Sequence, residues 1–157
     1  MSEIVEKISK KLHQNKLLLV SAESCTGGLL AKKITDLPGS SAIFDRGFVT
    51  YSNDSKHEML GVQKKTIEGF GAVSENVVKE MANGAIVHSN GSLSIAISGI
   101  AGPGGGTKEK PLGTVCFGIQ YKNNQAKEIT KIFKGNREDI RKQAVEFALN
   151  EAYKILE

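Results

Sequence analysis

Hydrophobic and polar residues follow two different periods along this chain, and each period predicts one kind of secondary structure. Apolar residues at helical spacing predict amphipathic helices over about 4–12, 29–37, 77–86 and from a cap at Asn136 to the C-terminus. Apolar runs and alternating stretches predict strands over 17–22, 43–51, 93–98, 113–121 and 126–133, with a bulge at Gly47. With further helices after the second strand, the first of them over 53–60, the element order becomes αβαβαααβββα.

This order of elements predicts the fold class. Helices between strands are typical of crossover connections, which make strands parallel, whereas the short connection 122–125 makes the last two strands a hairpin. We therefore expect an α/β protein, a three-layer α/β/α sandwich with a mixed central sheet. The 157 residues fit one domain over 1–157, long enough to bury roughly two-thirds of the unfolded surface.

Composition narrows the classes of partner. The net charge of +4 comes from lysines scattered along the chain, and tryptophan is absent, so no motif for nucleic-acid binding accompanies the charge. The two cysteines have neither disulfide nor zinc-site spacing, which predicts no metal and a reducing compartment. No apolar run approaches the ~20 residues that span a bilayer, and no signal core opens the chain. We expect a cytoplasmic protein without membrane or nucleic-acid partners.

The junction over 21–28 is the most informative segment, because it joins an apolar strand to a helix through small hydroxyl residues and glycines. The first N–H groups of such a helix are unpaired and lie at the positive end of its dipole, so they can hold an anion such as phosphate. This pattern predicts a phosphorylated small molecule as ligand. The alternative is an ordinary N-cap, in which Ser24 or Thr26 caps the helix.

A second glycine-rich loop, over 99–106, also follows a predicted buried strand. Two such loops at strand ends can face one crevice, where ligands bind in open α/β sheets. The order of Gly106, Thr107 and Lys108 inverts that of a phosphate-binding Walker A loop, and the first junction lacks G-x-G-x-x-G, which disfavours ATP and NAD. The alternative for this loop is a flexible connection without a ligand.

Lys56 is the candidate general base. It falls in the first turn of a short helix, where the dipole disfavours the ammonium form, and partial burial would lower its pKa further. The hydroxyl groups of Ser40, Ser41 and Tyr51 are candidates to join it in a Ser-Lys type hydrolytic centre. The alternative is a lysine in solvent, which is the usual environment of this residue type.

Cys25 is the rival nucleophile. A thiol at a helix N-terminus has a depressed pKa, and His57 or His88 could serve as its partner. Arg137 and Arg141 lie four residues apart on one face of the last helix, where a bound anion would explain a cation at the positive end of the dipole. Surface ion pairs with neighbouring acidic residues are the alternative for both arginines.

Five segments together resemble the CinA C-terminal domain family, whose members include stand-alone nicotinamide-nucleotide amidases. They are AESCTGG over 22–28, PGSS over 38–41, GFVTYSN over 47–53 with Lys56, GAVSE over 71–75 and SGIAGPGG over 98–105. The resemblance extends over nearly the whole chain. It implies hydrolysis of nicotinamide mononucleotide to nicotinic acid mononucleotide and ammonia, a step in pyridine-nucleotide recycling, without metal or organic cofactor.

The resemblance also assigns roles by position. Ser41 is expected to be the nucleophile, Lys56 its base, and Tyr51 a helper in proton movement, with the oxyanion held by N–H groups near the 38–41 turn. Many relatives carry threonine at position 98, and serine keeps the hydroxyl. By the resemblance, Ser24, Ser98 and Arg137 are expected to bind substrate or support its transition state. The positions of the two loops and of the last helix add further candidates for substrate binding, which are Cys25, Thr26, Gly27, Gly28, Gly102 and Arg141.

Three alternative functions remain open from the sequence. They are a Cys25-dependent amidase, a non-catalytic module that binds pyridine nucleotides, and a DNA-associated competence factor. The apolar stripes also leave room for a contact between copies, so we expect a homo-oligomer, either a dimer or a larger assembly.

Overall fold

The computed structural model describes all residues from Met1 to Glu157 and has the element order that the sequence predicts. The helices are α1 Ser2–Gln14, α2 Leu29–Thr35, α3 Asn53–Leu60, α4 Lys64–Phe70, α5 Glu75–Val87 and α6 Arg137–Leu156. The strands are β1 Leu19–Glu23, β2 Phe44–Val49, β3 Leu93–Gly99, β4 Thr114–Tyr121 and β5 Lys127–Ile132. A single 3₁₀ turn over Ser40–Ala42 precedes β2.

The five strands form one mixed sheet in the order β2-β1-β3-β4-β5. β1 is parallel to both β2 and β3, whereas β4 is antiparallel to β3 and to β5. Helices α1, α2 and α6 cover one face of the sheet, and α3, α4 and α5 cover the other. The predicted three-layer architecture with a mixed sheet is therefore confirmed.

Strand order explains why the first strand is buried throughout. All five residues of β1 are buried, since β1 lies inside the sheet with helices on both faces. β2 is an edge strand, and its register against β1 shifts at Asp45, so the predicted bulge position at Gly47 is wrong by two residues. Glycine at position 47 instead allows β2 to pack closely against the Ser21 side chain of β1, because a Cβ there would lie 2.7 Å from Ser21 Oγ.

The carboxyl ends of the three parallel strands meet at one edge of the sheet. From β1 the chain crosses to β2 on one side and later reaches β3 on the other, so β1 is the point where the strand order reverses. Ligand sites of open α/β sheets lie in the crevice at such a point. Over the whole chain, no helix combines the length and apolar character required to cross a bilayer.

Candidate active site

Lys56 lies in α3 and turns its amine toward the carboxyl ends of β1 and β2. Only 1% of the residue is exposed. Its Nζ lies 2.9 Å from Ser24 Oγ, 2.9 Å from the main-chain oxygen of Thr50 and 3.3 Å from that of Tyr51. This lysine is therefore an interior residue with three polar neighbours, and not the solvated lysine that was the alternative.

The interior position of the Lys56 amine disfavours its charged form. Burial lowers the pKa of Lys56 from its ordinary value, because desolvation penalises the ammonium ion. A neutral amine has two N–H groups and one lone pair. In the structure, Lys56 Nζ donates to Ser24 Oγ and to both carbonyl oxygens, and the Ser24 hydroxyl donates to the Tyr51 oxygen at 3.4 Å. Loss of one proton from the amine would leave a lone pair that can accept the Ser24 hydroxyl proton. A hydroxyl and a base are thus in contact at the edge of the sheet.

Ser41 does not reach this amine within the chain. It is exposed in the 3₁₀ turn before β2, whereas Lys56 contacts the carbonyls that follow the end of β2. The six residues of β2 lie between them, a length of about 17 Å. The expected contact between Ser41 and Lys56 is therefore wrong, because a full strand carries the chain from one edge of the sheet to the other.

Tyr51 and Arg137 contact each other at the exposed side of this edge of the sheet. Arg137, at the start of α6, donates from Nη2 to the Tyr51 phenol oxygen at 3.0 Å and from Nη1 to the Gly102 oxygen at 2.8 Å. Tyr51 is 60% exposed, and its phenol contacts Arg137 and not Lys56. The neighbouring Glu138 pairs with Lys142, so the alternative of surface ion pairs does not account for Arg137.

A buried carboxylate occupies the N-terminus of α2. Glu23 is fully buried and accepts hydrogen bonds from the N–H groups of Leu30 at 2.8 Å and Ala31 at 3.2 Å. It neutralises the positive end of this helix with a side chain of the protein itself. The expected cap by Ser24 or Thr26 is therefore wrong. A phosphate bound by the 24–28 loop stays a prediction, and the N–H groups of Leu30 and Ala31 are not free to hold it.

Sequence reasoning missed Glu23, although a signal was present. A glutamate at the end of an otherwise apolar, buried strand must find a partner, because an unpaired buried carboxylate is costly. The N–H groups of the following helix were the nearest candidates along the chain.

Arg141 holds the loop between β1 and α2. Its Nε donates to the Cys25 oxygen and its Nη2 to the Thr26 oxygen, both at 3.1 Å. Gly27 and Gly28 have φ values of +55° and +103°, and a Cβ on Gly27 would lie 3.3 Å from Arg141 Nη2. The guanidinium that was expected to bind an anion is thus engaged by two carbonyl oxygens of the chain.

Ser98 lies one strand away from Ser24. The N–H of Ser24 donates to the Ile97 oxygen at 2.9 Å, which sets the ends of β1 and β3 side by side. The hydroxyl of Ser98 is buried and donates to the Ala72 oxygen at 2.9 Å. In this structure the Ser98 hydroxyl therefore holds the segment before α5 against the sheet.

Cys25 is a poor nucleophile in this environment. Its side chain is buried, and burial raises the pKa of the thiol to about 11. His57, one of its expected partners, places Nδ1 2.8 Å from the Val62 oxygen instead. The expectation of a depressed thiol pKa is wrong, since desolvation outweighs the favourable charge of Arg141.

Iodoacetamide at neutral pH should therefore leave Cys25 unmodified in the folded protein and leave activity intact, because the thiolate is scarce and the sulfur is covered. Peptide mass spectrometry after timed exposure measures this directly. The same reagent in concentrated urea should label both Cys25 and Cys116, which controls for reagent quality. Rapid alkylation of Cys25 with a loss of activity that substrate prevents would restore the cysteine mechanism.

The polar groups at this edge can perform one kind of chemistry well. A serine hydroxyl in contact with a neutral amine can attack a carbonyl carbon and pass its proton to the amine. No three or more His, Cys, Asp or Glu side chains come together anywhere in the structure to hold a metal ion.

Comparisons with known proteins agree on one family. The model of the CinA C-terminal domain matches residues 1–156. A nicotinamide-nucleotide amidohydrolase, PncC, from Enterobacter agglomerans is 50% identical over 152 residues, 97% of this chain and 93% of that protein. The crystal structure of the competence/damage inducible protein CihA from Agrobacterium tumefaciens is 40% identical, with a TM-score of 0.96 over 99% of this chain and 95% of that chain.

Some relatives are longer. A CinA-like protein from Chlorobium limicola is 46% identical over 156 residues, which are 97% of this chain and 36% of that protein. The chain therefore corresponds to about a third of that relative.

Proposed function

Because this chain belongs to the CinA C-terminal domain family, we propose that it hydrolyses the carboxamide of nicotinamide mononucleotide to give nicotinic acid mononucleotide and ammonia. The name of its 50% identical relative supports this substrate. The observation that carries the proposal is the 2.9 Å separation of Lys56 Nζ from Ser24 Oγ, inside the protein and at the ligand-binding edge of the sheet. A serine hydroxyl next to a base is a nucleophile that can attack the carbon of a carboxamide.

Ser24 takes the role of nucleophile that the resemblance gave to Ser41. Neutral Lys56 accepts the Ser24 proton as Oγ bonds to the carboxamide carbon, and the C=O bond opens to a tetrahedral oxyanion. The lysine then returns the proton to the leaving nitrogen, so that the C–N bond breaks and ammonia departs. Water attacks the remaining ester, again giving its proton to Lys56, and nicotinic acid mononucleotide leaves as Ser24 regains its hydrogen.

Tyr51 and Arg137 are assigned to substrate contact on the open side of the crevice. The Arg137 guanidinium uses two of its N–H groups on Tyr51 and Gly102. A guanidinium has five N–H donors, so others remain for an anionic substrate. In this assignment the Tyr51 phenol positions substrate, and proton transfer passes directly between Ser24 and Lys56.

Purified protein incubated with nicotinamide mononucleotide, with chelator and no added metal, tests the proposal. We expect equal amounts of ammonia and nicotinic acid mononucleotide, and no product from the Ser24→Ala protein prepared in parallel. Saturable binding of the nucleotide without ammonia release would contradict the proposal and leave a non-catalytic binding module.

The homo-oligomer stays a prediction. Val49 on the edge strand β2 is 46% exposed and is available for a contact between copies. Sedimentation velocity over a range of protein concentrations measures the state, and a monomer at all concentrations would contradict it.

A further inference from the structure

Two main-chain N–H groups directly after Ser24 have no acceptor on any other residue of the protein. The N–H groups of Cys25 and Thr26 donate to no main-chain carbonyl and to no side chain of another residue. The two residues are only 6% and 0% exposed. Nearly all buried N–H groups in proteins are paired, so two consecutive unpaired ones need an explanation.

The carbonyl groups of the same peptides are all held. The Ser24 oxygen accepts from the Gly27 N–H at 3.0 Å, and the Cys25 oxygen accepts from Arg141 Nε at 3.1 Å. The C=O and N–H of a trans peptide point in opposite directions. Fixing these two carbonyls therefore fixes the directions of the Cys25 and Thr26 N–H groups.

We propose that the N–H groups of Cys25 and Thr26 form the oxyanion hole of this enzyme, which rests on the proposed function with Ser24 as nucleophile. The N–H of the residue after a nucleophilic serine lies next to the attacked carbonyl and is a recurrent oxyanion donor. These donors belong to the loop and not to the N-terminus of α2, whose N–H groups Glu23 already occupies. They replace the N–H groups near the 38–41 turn, which lie at the other edge of the sheet.

Arg141 is the positioning residue for this oxyanion hole. It touches the loop from the carbonyl side through Cys25 and Thr26 and has no role on substrate in this assignment. Its charge also polarises the peptide that joins these two residues, which strengthens the Thr26 N–H as a donor. The oxyanion exists only after attack, so loss of Arg141 should lower kcat and leave KM nearly unchanged.

The first test compares Arg141→Met with Lys142→Met, a matched change at the next, exposed position of α6. We expect a loss in kcat of about 10- to 100-fold for Arg141→Met with KM within about 3-fold, since removal of a whole oxyanion donor costs about 10²- to 10³-fold. Arg141→Lys should recover part of the loss, and Lys142→Met should match the wild type. A raised KM with unchanged kcat would overturn the assignment and make Arg141 a substrate-binding residue.

The second test removes one N–H group and no side chain. It therefore tests the oxyanion hole even where the Arg141→Met protein fails to fold. Replacing Thr26 by its α-hydroxy acid analogue converts that amide to an ester, with the same exchange at Asn123 in the hairpin turn as control. We expect a loss in kcat of about 10²- to 10³-fold at position 26 and none at position 123. Full activity of the position 26 ester would overturn the oxyanion hole alone, whereas a wild type without ammonia release would overturn the proposed function.

Discussion

Replacing Ser24 by alanine should reduce kcat for nicotinamide mononucleotide on the order of 10³-fold or more, because the members of a catalytic unit fail together. The variant should keep its fold, since the Lys56 amine retains the oxygens of Thr50 and Tyr51 as partners. Ammonia release under saturating substrate measures kcat, and binding of substrate to the inactive variant measures the intact pocket. An acyl-enzyme trapped by acid quench of the wild type should carry its mass on the peptide that contains Ser24.

Ser41→Ala is the comparison that discriminates between the two serines. Because Ser41 is exposed and about a strand length from Lys56, its replacement should cost much less activity than that of Ser24. An equal or larger loss at Ser41, or a trapped acyl group on its peptide, would contradict the assignment of Ser24.

Lys56→Met should reduce kcat by a similar factor, on the order of 10³-fold or more, because no other base contacts the Ser24 hydroxyl. Methionine fills nearly the same volume, which preserves packing around α3. In the wild type, kcat/KM should rise with pH through the pKa of Lys56, which lies below its ordinary value of 10.5. A wild-type profile that rises only near 10.5 would contradict a lysine that is tuned by burial.

We also expect Lys56→Met to change how the stability of the protein depends on pH. The pKa of Lys56 is lower in the folded protein than in the unfolded chain, so between the two values the unfolded chain binds more protons and stability rises with pH. Below the pKa of Lys56 in the folded protein, the buried ammonium ion lowers the free energy of unfolding of the wild type by its full desolvation cost. The free energy of unfolding of Lys56→Met, relative to wild type, should therefore fall as pH rises toward 10.5. Urea unfolding at several pH values measures it, and a difference independent of pH would contradict the assignment.

Much of the fold could be predicted because its signals are local. The hydrophobic period that distinguishes a helix from a strand is visible in the consecutive residues of each segment. The connection 122–125 is too short for anything but a hairpin. The bounds of α4 were harder, since its seven residues contain only two buried positions and show little periodicity. The bulge was misplaced at Gly47 because glycine there permits close packing against Ser21, an equally common reason for glycine in a strand.

The sequence singles out residues that share one edge of the sheet, but it does not give the contacts between them. The sequence pointed to Ser24, Lys56, Tyr51 and Arg137, and the structure brings them to one edge of the sheet. It could not show which serine meets the lysine, since nearness along the chain made Ser40 and Ser41 candidates and the resemblance then favoured Ser41. The thiol of Cys25 was misjudged for a related reason, because a helix start suggests a low pKa only when water still reaches the sulfur.

The sequence by itself thus determined the order of the elements, the mixed sheet and the two glycine-rich loops that follow β1 and β3, because each depends on periodicity or on short connections. Only the tertiary structure decided that Lys56 faces Ser24, that Glu23 closes the start of α2 and that Arg141 holds the loop carbonyls. These contacts depend on which edge of the sheet each loop reaches and on how deeply each charge is buried. Both are set by the packing of strands and helices that lie far apart along the chain.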